Sequence, residues 1–121
     1  MNAEFKGVSE GILTISVAGK LAESDMAGVQ QAAAEAIRAH GTVRVLVLAE
    51  HFAGWERDGE WDDFSFQEAF DPCIEKMAIV GDTRWEDLTL IFVAKGLRSF
   101  PIEYFAAGEV DKAQAWLKAS P

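Results

Sequence analysis

Two histidines, one cysteine and a run of carboxylates are the groups in this chain whose chemistry could go beyond packing. His51 directly follows Glu50, and Asp58, Glu60, Asp62 and Asp63 come close behind. An imidazole among carboxylates is the raw material of a metal site or of general acid–base catalysis. Here the spacing matches no known metal-ligand pattern, and a solvated acidic loop accounts for it better. His40 falls where a helix should end, beside Gly41, and an imidazolium there complements the helix dipole. Cys73 has no adjacent basic residue to activate its thiol, so it reads as packing. Neither G-x-G-x-x-G nor G-x-x-x-x-G-K-[ST] occurs, and a nucleotide-phosphate cradle has no support. An enzyme built on His51 and its acidic neighbours is kept only as a minor alternative. No catalytic residue, metal or cofactor is assigned.

The residues that demand an explanation are aromatic. Positions 51–64 read HFAGWERDGEWDDF, with Phe52, Trp55, Trp61 and Phe64 set among acids and two glycines. From Glu50 to Asp71 there are eight acids against Arg57 alone, so this segment carries −7 of a net charge of −9. Nucleic acid is a poor partner for such a surface, because phosphate contacts need clustered Lys and Arg. An anionic membrane would be repelled as well, so membrane contact requires a neutral lipid or tryptophans acting alone.

The elements around this stretch follow from periodicity. The chain of 121 residues, 50% apolar, is expected to form a single domain spanning 1–121 and to fold without disulfides. No basic region followed by an apolar run opens the sequence and no stretch is long enough to span a bilayer, so a cytoplasmic location, at most peripheral to a membrane, is expected. EFKGV at 4–8 and ILTISVA at 12–18 read as a hairpin-like pair of strands. SDMAGVQQAAAEAIRAHG reads as a helix capped by Ser24 and stopped by Gly41. VRVLVLA at 43–49 and MAIVG at 77–81 have the continuous apolar character of buried parallel strands. HFAGW is expected to be a loop leading into a short helix at about 60–70. A further helix is expected at 84–95, with Thr83 and Glu86 at capping-box spacing, although LTLIFV could equally be a strand on propensity. FPIEYF at 100–105 suits a strand, with Pro101 at its start or on an edge. EVDKAQAWLKA closes the series as an amphipathic helix, with Val110, Ala113, Gln114 and Leu117 on one side. The order is ββαβαβαβα, an α/β fold with a mixed, mostly parallel sheet of about five strands and four helices.

The two middle helices carry more apolar surface than one stripe. At about 100° per residue, Trp61 and Phe64 fall on one side of the first, and Phe66 and Phe70 nearly opposite. On the second, Trp85, Leu88 and Phe92 share a face while Leu90, Val93 and Ala94 fill much of the rest. Two readings stand. Either the helices pack against the sheet and against each other, or they enclose a hydrophobic cleft under a removable lid hinged at Gly54 and Gly59.

FAGW after the third strand, Trp61 with Asp62, VGDTRWE at 80–86 and the final AQAWL together resemble the SpoIIAA-like proteins of the STAS superfamily, over essentially the whole chain. The resemblance implies a small mixed sheet with four helices, similar to the lipid-binding lobe of CRAL-TRIO proteins. It also implies a middle pair of helices that closes over, or opens to reveal, an apolar ligand site. The phosphorylatable serine that anti-sigma-factor antagonists carry after the third strand has no counterpart. Ser65, the nearest, lies mid-helix between Phe64 and Phe66, which argues against a phosphoswitch. The expected function is therefore non-enzymatic binding of a lipid-like or other hydrophobic small molecule. Phe52, Trp55, Trp61, Phe64, Phe66 and Phe70 would form the lid, with Trp85, Leu88, Ile91 and Phe92 as the opposing wall. The alternative is a signalling or structural module using the same surface for a homodimer or protein partner.

Overall fold

In the computed structural model, described for residues 2–56, 69–92, 98 and 100–119, one sheet of five strands runs in sequence order from edge to edge. The first two strands, β1 (Ala3–Ser9) and β2 (Ile12–Leu21), pair antiparallel. Glu10 and Gly11 make the turn between them, both at positive φ (54° and 78°), the backbone that a two-residue hairpin with matching twist requires. Strands β3 (Val43–Trp55), β4 (Ile74–Gly81) and β5 (Ile102–Ala106) then add in parallel. Pro101 stands immediately before β5, which lies on the sheet edge, and its carbonyl accepts from the Met77 N–H.

Helix α1 (Glu23–His40) joins β2 to β3 and buries Val29, Ala33 and Ile37. Gly41 ends it at φ 87°, its N–H donating to the Ile37 carbonyl. The start differs from expectation. Ala22 is the N-cap, and the Asp25 carboxylate reaches back to accept from the Ala22 N–H at 3.1 Å, so Asp25 rather than Ser24 organises the first turn. A 3-10 turn (Thr83–Trp85) leads into helix α2 (Glu86–Phe92), which decides LTLIF as helix. Its entry is capped by Asp82, which accepts from the Arg84 N–H at 3.0 Å, and not by the Thr83–Glu86 pair. Helix α3 (Val110–Lys118) follows β5. These three helices lie among the described residues; of the helix expected at 60–70 only positions 69 and 70 are described, both helical, and the rest lies outside them.

HFAGW is a strand. The expected end of β3 at 49 is overturned because β2 goes on pairing with it: Ala18 opposite His51, Gly19 opposite Phe52, Leu21 opposite Trp55. Register slips between Ser16 and Ala18 and again between Gly19 and Leu21, so β3 takes one extra residue at each place. Two such bulges break the period of two that identifies a strand in sequence.

Strand order never reverses, and right-handed crossovers without reversal bring successive connections to one face of the sheet. Accordingly Ile37 of α1, Phe70, Trp85 and Leu90 of α2 share one cluster with Leu13, Val45 and Ile79. On the other face α3 alone, among the described residues, sets Ala113 and Leu117 over Ile12, Leu46, Ala78 and Val80. Two cations hold its end: Lys76, buried on β4, donates to the carbonyls of Trp116 (2.9 Å) and Ala119 (2.8 Å), and Arg44 of β3 to those of Leu117 and Ala119. Positive charge there meets the negative end of the helix dipole.

Candidate functional site

At the carboxyl ends of β3 and β4 three rings form a closed knot. Phe52 meets Trp55 at 4.9 Å and Trp85 at 5.4 Å between centroids, and the two indoles are 6.3 Å apart, all edge-to-face. Edge-to-face pairs contribute about 0.5–1.5 kcal/mol beyond their buried area. Gly54 makes the knot possible: its φ is 110°, and a Cβ there would stand 3.2 Å from the Trp85 ring. Phe52 is buried, while Trp55 and Trp85 are half-buried. The Arg84 guanidinium sits over the Trp85 ring at 5.3 Å. Among the described residues the Trp85 indole Nε1 is shut off from solvent without a hydrogen-bond partner.

Of the expected lid residues, Phe52, Trp55 and Phe70 therefore pack against the protein's own core. Phe70 also lies under the Arg38 guanidinium at 5.3 Å. Trp61, Phe64 and Phe66, and the side chain of Phe92, lie outside the described residues, as does the hinge expected at Gly59. The expected opposing wall divides. Trp85 turns inward because it belongs to the 3-10 turn, which advances faster per residue than the α-helix used to place it. Leu88 and Ile91 turn outward, 53% and 75% exposed. They stand three apart on α2 and so form one ridge. Asp87, also exposed, flanks Ile91 on the same helix, and Asp82 lies exposed at its entry.

The chemical alternatives find little geometry. Glu50 and His51 are both exposed where β3 takes its extra residue, so the strand's regular alternation does not set them as a pair. The Glu50 carboxylate accepts from the Gly108 N–H at 2.7 Å. No group of three His, Cys, Asp or Glu gathers for a metal among the described residues, while Asp58, Glu60, Asp62 and Asp63 lie outside them. Cys73 is half-buried against the main core. At the opposite end of the parallel strands a shallow depression of about 270 Å³ is lined by Glu10, Thr42, Arg44, Glu75 and Lys118, among others. Its charges answer one another, Lys118 to Glu10 at 2.8 Å and Arg44 to Glu75 at 3.5 Å. Periodicity could not reveal Arg44 and Lys76 as helix anchors, because each is a single basic residue in an apolar strand.

An antiparallel hairpin leading into parallel strands, with helices on both faces and no reversal of strand order, defines a STAS-type α/β module. The chain belongs to the SpoIIAA-like family, whose description matches residues 12–118. Among solved structures it is similar to an uncharacterized protein of the DUF3478 family with a SpoIIAA-like fold from Shewanella loihica PV-4. The two chains are 18% identical, the match covers 96% of this chain and 93% of the other, and the TM-score is 0.72. No curated protein matches. No helix among the described residues is long and apolar enough to cross a membrane.

Proposed function

We propose that this chain is a non-enzymatic signalling or structural module that works by burying the Leu88–Ile91 ridge of α2 against another apolar surface. The observation that carries the reading is the division of the apolar surplus. The aromatic rings of β3 and the 3-10 turn close on one another, while the aliphatic pair on α2 points out. Single exposed apolar residues are ordinary, but two neighbours on one short helix make a contact ridge. The SpoIIAA-like fold, generally non-enzymatic, supports a module of this class. Site-specific photo-crosslinking tests the proposal. A crosslinker at position 88 or 91 is expected to trap a partner in cells, and one at exposed Gln31 on α1 is not. Equal yields at both faces would remove the basis of the reading.

A second reading, a lipid-like or other hydrophobic small molecule held beside Trp85, draws on one observation. The buried Trp85 Nε1 has no partner among the described residues and would donate to the polar head of an amphipathic ligand. Native mass spectrometry with fatty acids and phospholipids tests it. A bound species whose retention drops in Trp85→Phe supports it, and retention unchanged by that substitution counts against it.

A further inference from the structure

The contact ridge has a charge pattern that narrows its partner. Helix α2 carries Glu86 and Asp87 in its first turn and, reading EDLTLIF, contains no basic residue. Asp82 precedes it, and Arg84, a cation at its entry, is shared between the Asp82 carboxylate at 3.8 Å and the Trp85 ring. The negative field reaches the sheet: the Tyr104 phenol is raised above its ordinary value, first by burial and then by Glu86 and Asp82. The whole chain carries −9.

We infer that the occupant of this ridge is a cationic amphipathic segment of another protein, with apolar side chains laid on Leu88 and Ile91 and Lys or Arg facing Asp82 and Asp87. The inference rests on the contact reading given above and names its partner class. A second copy fits worse. It would bring a second acidic α2 with no basic residue and a second net charge of −9 to the contact, and like charges at a desolvating interface disfavour it. An anionic lipid surface is repelled for the same reason. A basic helix presenting an i, i+3 or i, i+4 apolar row matches the spacing of the ridge and answers the acids around it.

The probe is a short fluorescent helix of leucines on one face and lysines on the other, titrated by anisotropy with the intact chain. Three controls accompany it: the same peptide with serine for leucine, the same peptide with glutamate for lysine, and phosphatidylglycerol vesicles. Leu88 and Ile91 are exposed, so Leu88→Ser/Ile91→Ser is expected to leave the fold intact, with an unchanged circular dichroism spectrum as the check. The leucine–lysine peptide is expected to bind, to bind about tenfold more weakly to that double variant, and to weaken again with Asp87→Lys and with added salt. Binding that ignores the serine variant, or that is matched by the serine peptide, the acidic peptide or the vesicles, overturns the inference. If the peptide fails while light scattering shows a dimer that the same double variant dissolves, this inference falls and the contact reading survives. If crosslinking at 88 and 91 is also no better than at Gln31, both fall together.

Discussion

Gly81, the last residue of β4, has room for no side chain. A Cβ there would lie 2.7 Å from the Tyr104 hydroxyl and 2.9 Å from the Ala49 carbonyl oxygen. Tyr104 donates that hydroxyl to the Asp82 carbonyl at 2.8 Å, so it cannot swing aside without losing a bond. Gly81→Ala is expected to lower stability by about 1–3 kcal/mol in urea denaturation, the usual range for overfilling a packed site. Adding Tyr104→Phe should recover only part of this, because the Ala49 backbone stays in place. Full recovery, or no loss at the outset, would show that the site has slack. None of this is legible in VGDTRWE, where a glycine before Asp82 looks like an ordinary turn residue. The crowding comes from Ala49 and Tyr104, more than twenty positions away on each side.

Two elements are fixed by small sets of charged groups. Lys76 and Arg44 clasp the end of α3, and Lys76 also lies over the Trp116 ring at 4.9 Å. Lys76→Met keeps the apolar stem and leaves the Trp116 carbonyl without this donor. A loss of about 1–3 kcal/mol is expected, with early loss of helical signal on heating. A midpoint equal to that of the unmodified chain would show that water replaces the ammonium. Ahead of β4, Asp71 and Arg98 form a two-point pair, both hydrogen bonds at 2.6 Å, with side chains 17% and 11% exposed. Asp71→Ala is expected to cost about 3 kcal/mol, the low end for breaking a buried pair, since some solvent still screens it. The double variant with Arg98→Met should lose less than the sum of the singles. Strictly additive losses would mean that the pair is uncoupled. The centres of the strands and helices were legible in sequence because periodicity and β-branching set them. Their ends were not, because partners set them: β2 prolongs β3 through Trp55, and Asp25 opens α1.

Across the whole molecule, pH acts from both sides. Glu109 is lowered below the ordinary carboxylate value, first by its hydrogen bond from Lys112 and then by the Ala106 N–H, and Glu10 is lowered by its hydrogen bond from Lys118. A lowered carboxylate stabilises the fold above its unfolded value and loses that contribution as pH falls through the folded one. Tyr104 runs the other way. Raised mainly by burial, it contributes in full below the ordinary phenol value of about 10 and loses this as pH rises through the folded one. The urea midpoint should therefore be flat near neutrality, fall in acid, and fall again in strong alkali. Glu109→Gln should flatten part of the acid limb and Tyr104→Phe the alkaline one. Limbs indifferent to both substitutions would place the titrating groups elsewhere. At this scale the sequence was most informative. Strand–helix–strand alternation after a hairpin, with the SpoIIAA-like likeness, leaves few topologies, and the observed order is one of them. The division of the apolar surplus was hidden, since helical spacing cannot tell a 3-10 turn from the first turn of a helix.

The dependence of one sheet face on α3 also has a consequence for the order of birth. On the ribosome β1 to β4 and α1 emerge well before residues 110–118, so the cover that α3 gives Ile12, Leu46, Ala78 and Val80 arrives late. Nascent chains stalled upstream of Val110 should accordingly be captured by chaperones more than chains from which residues 110–118 have emerged.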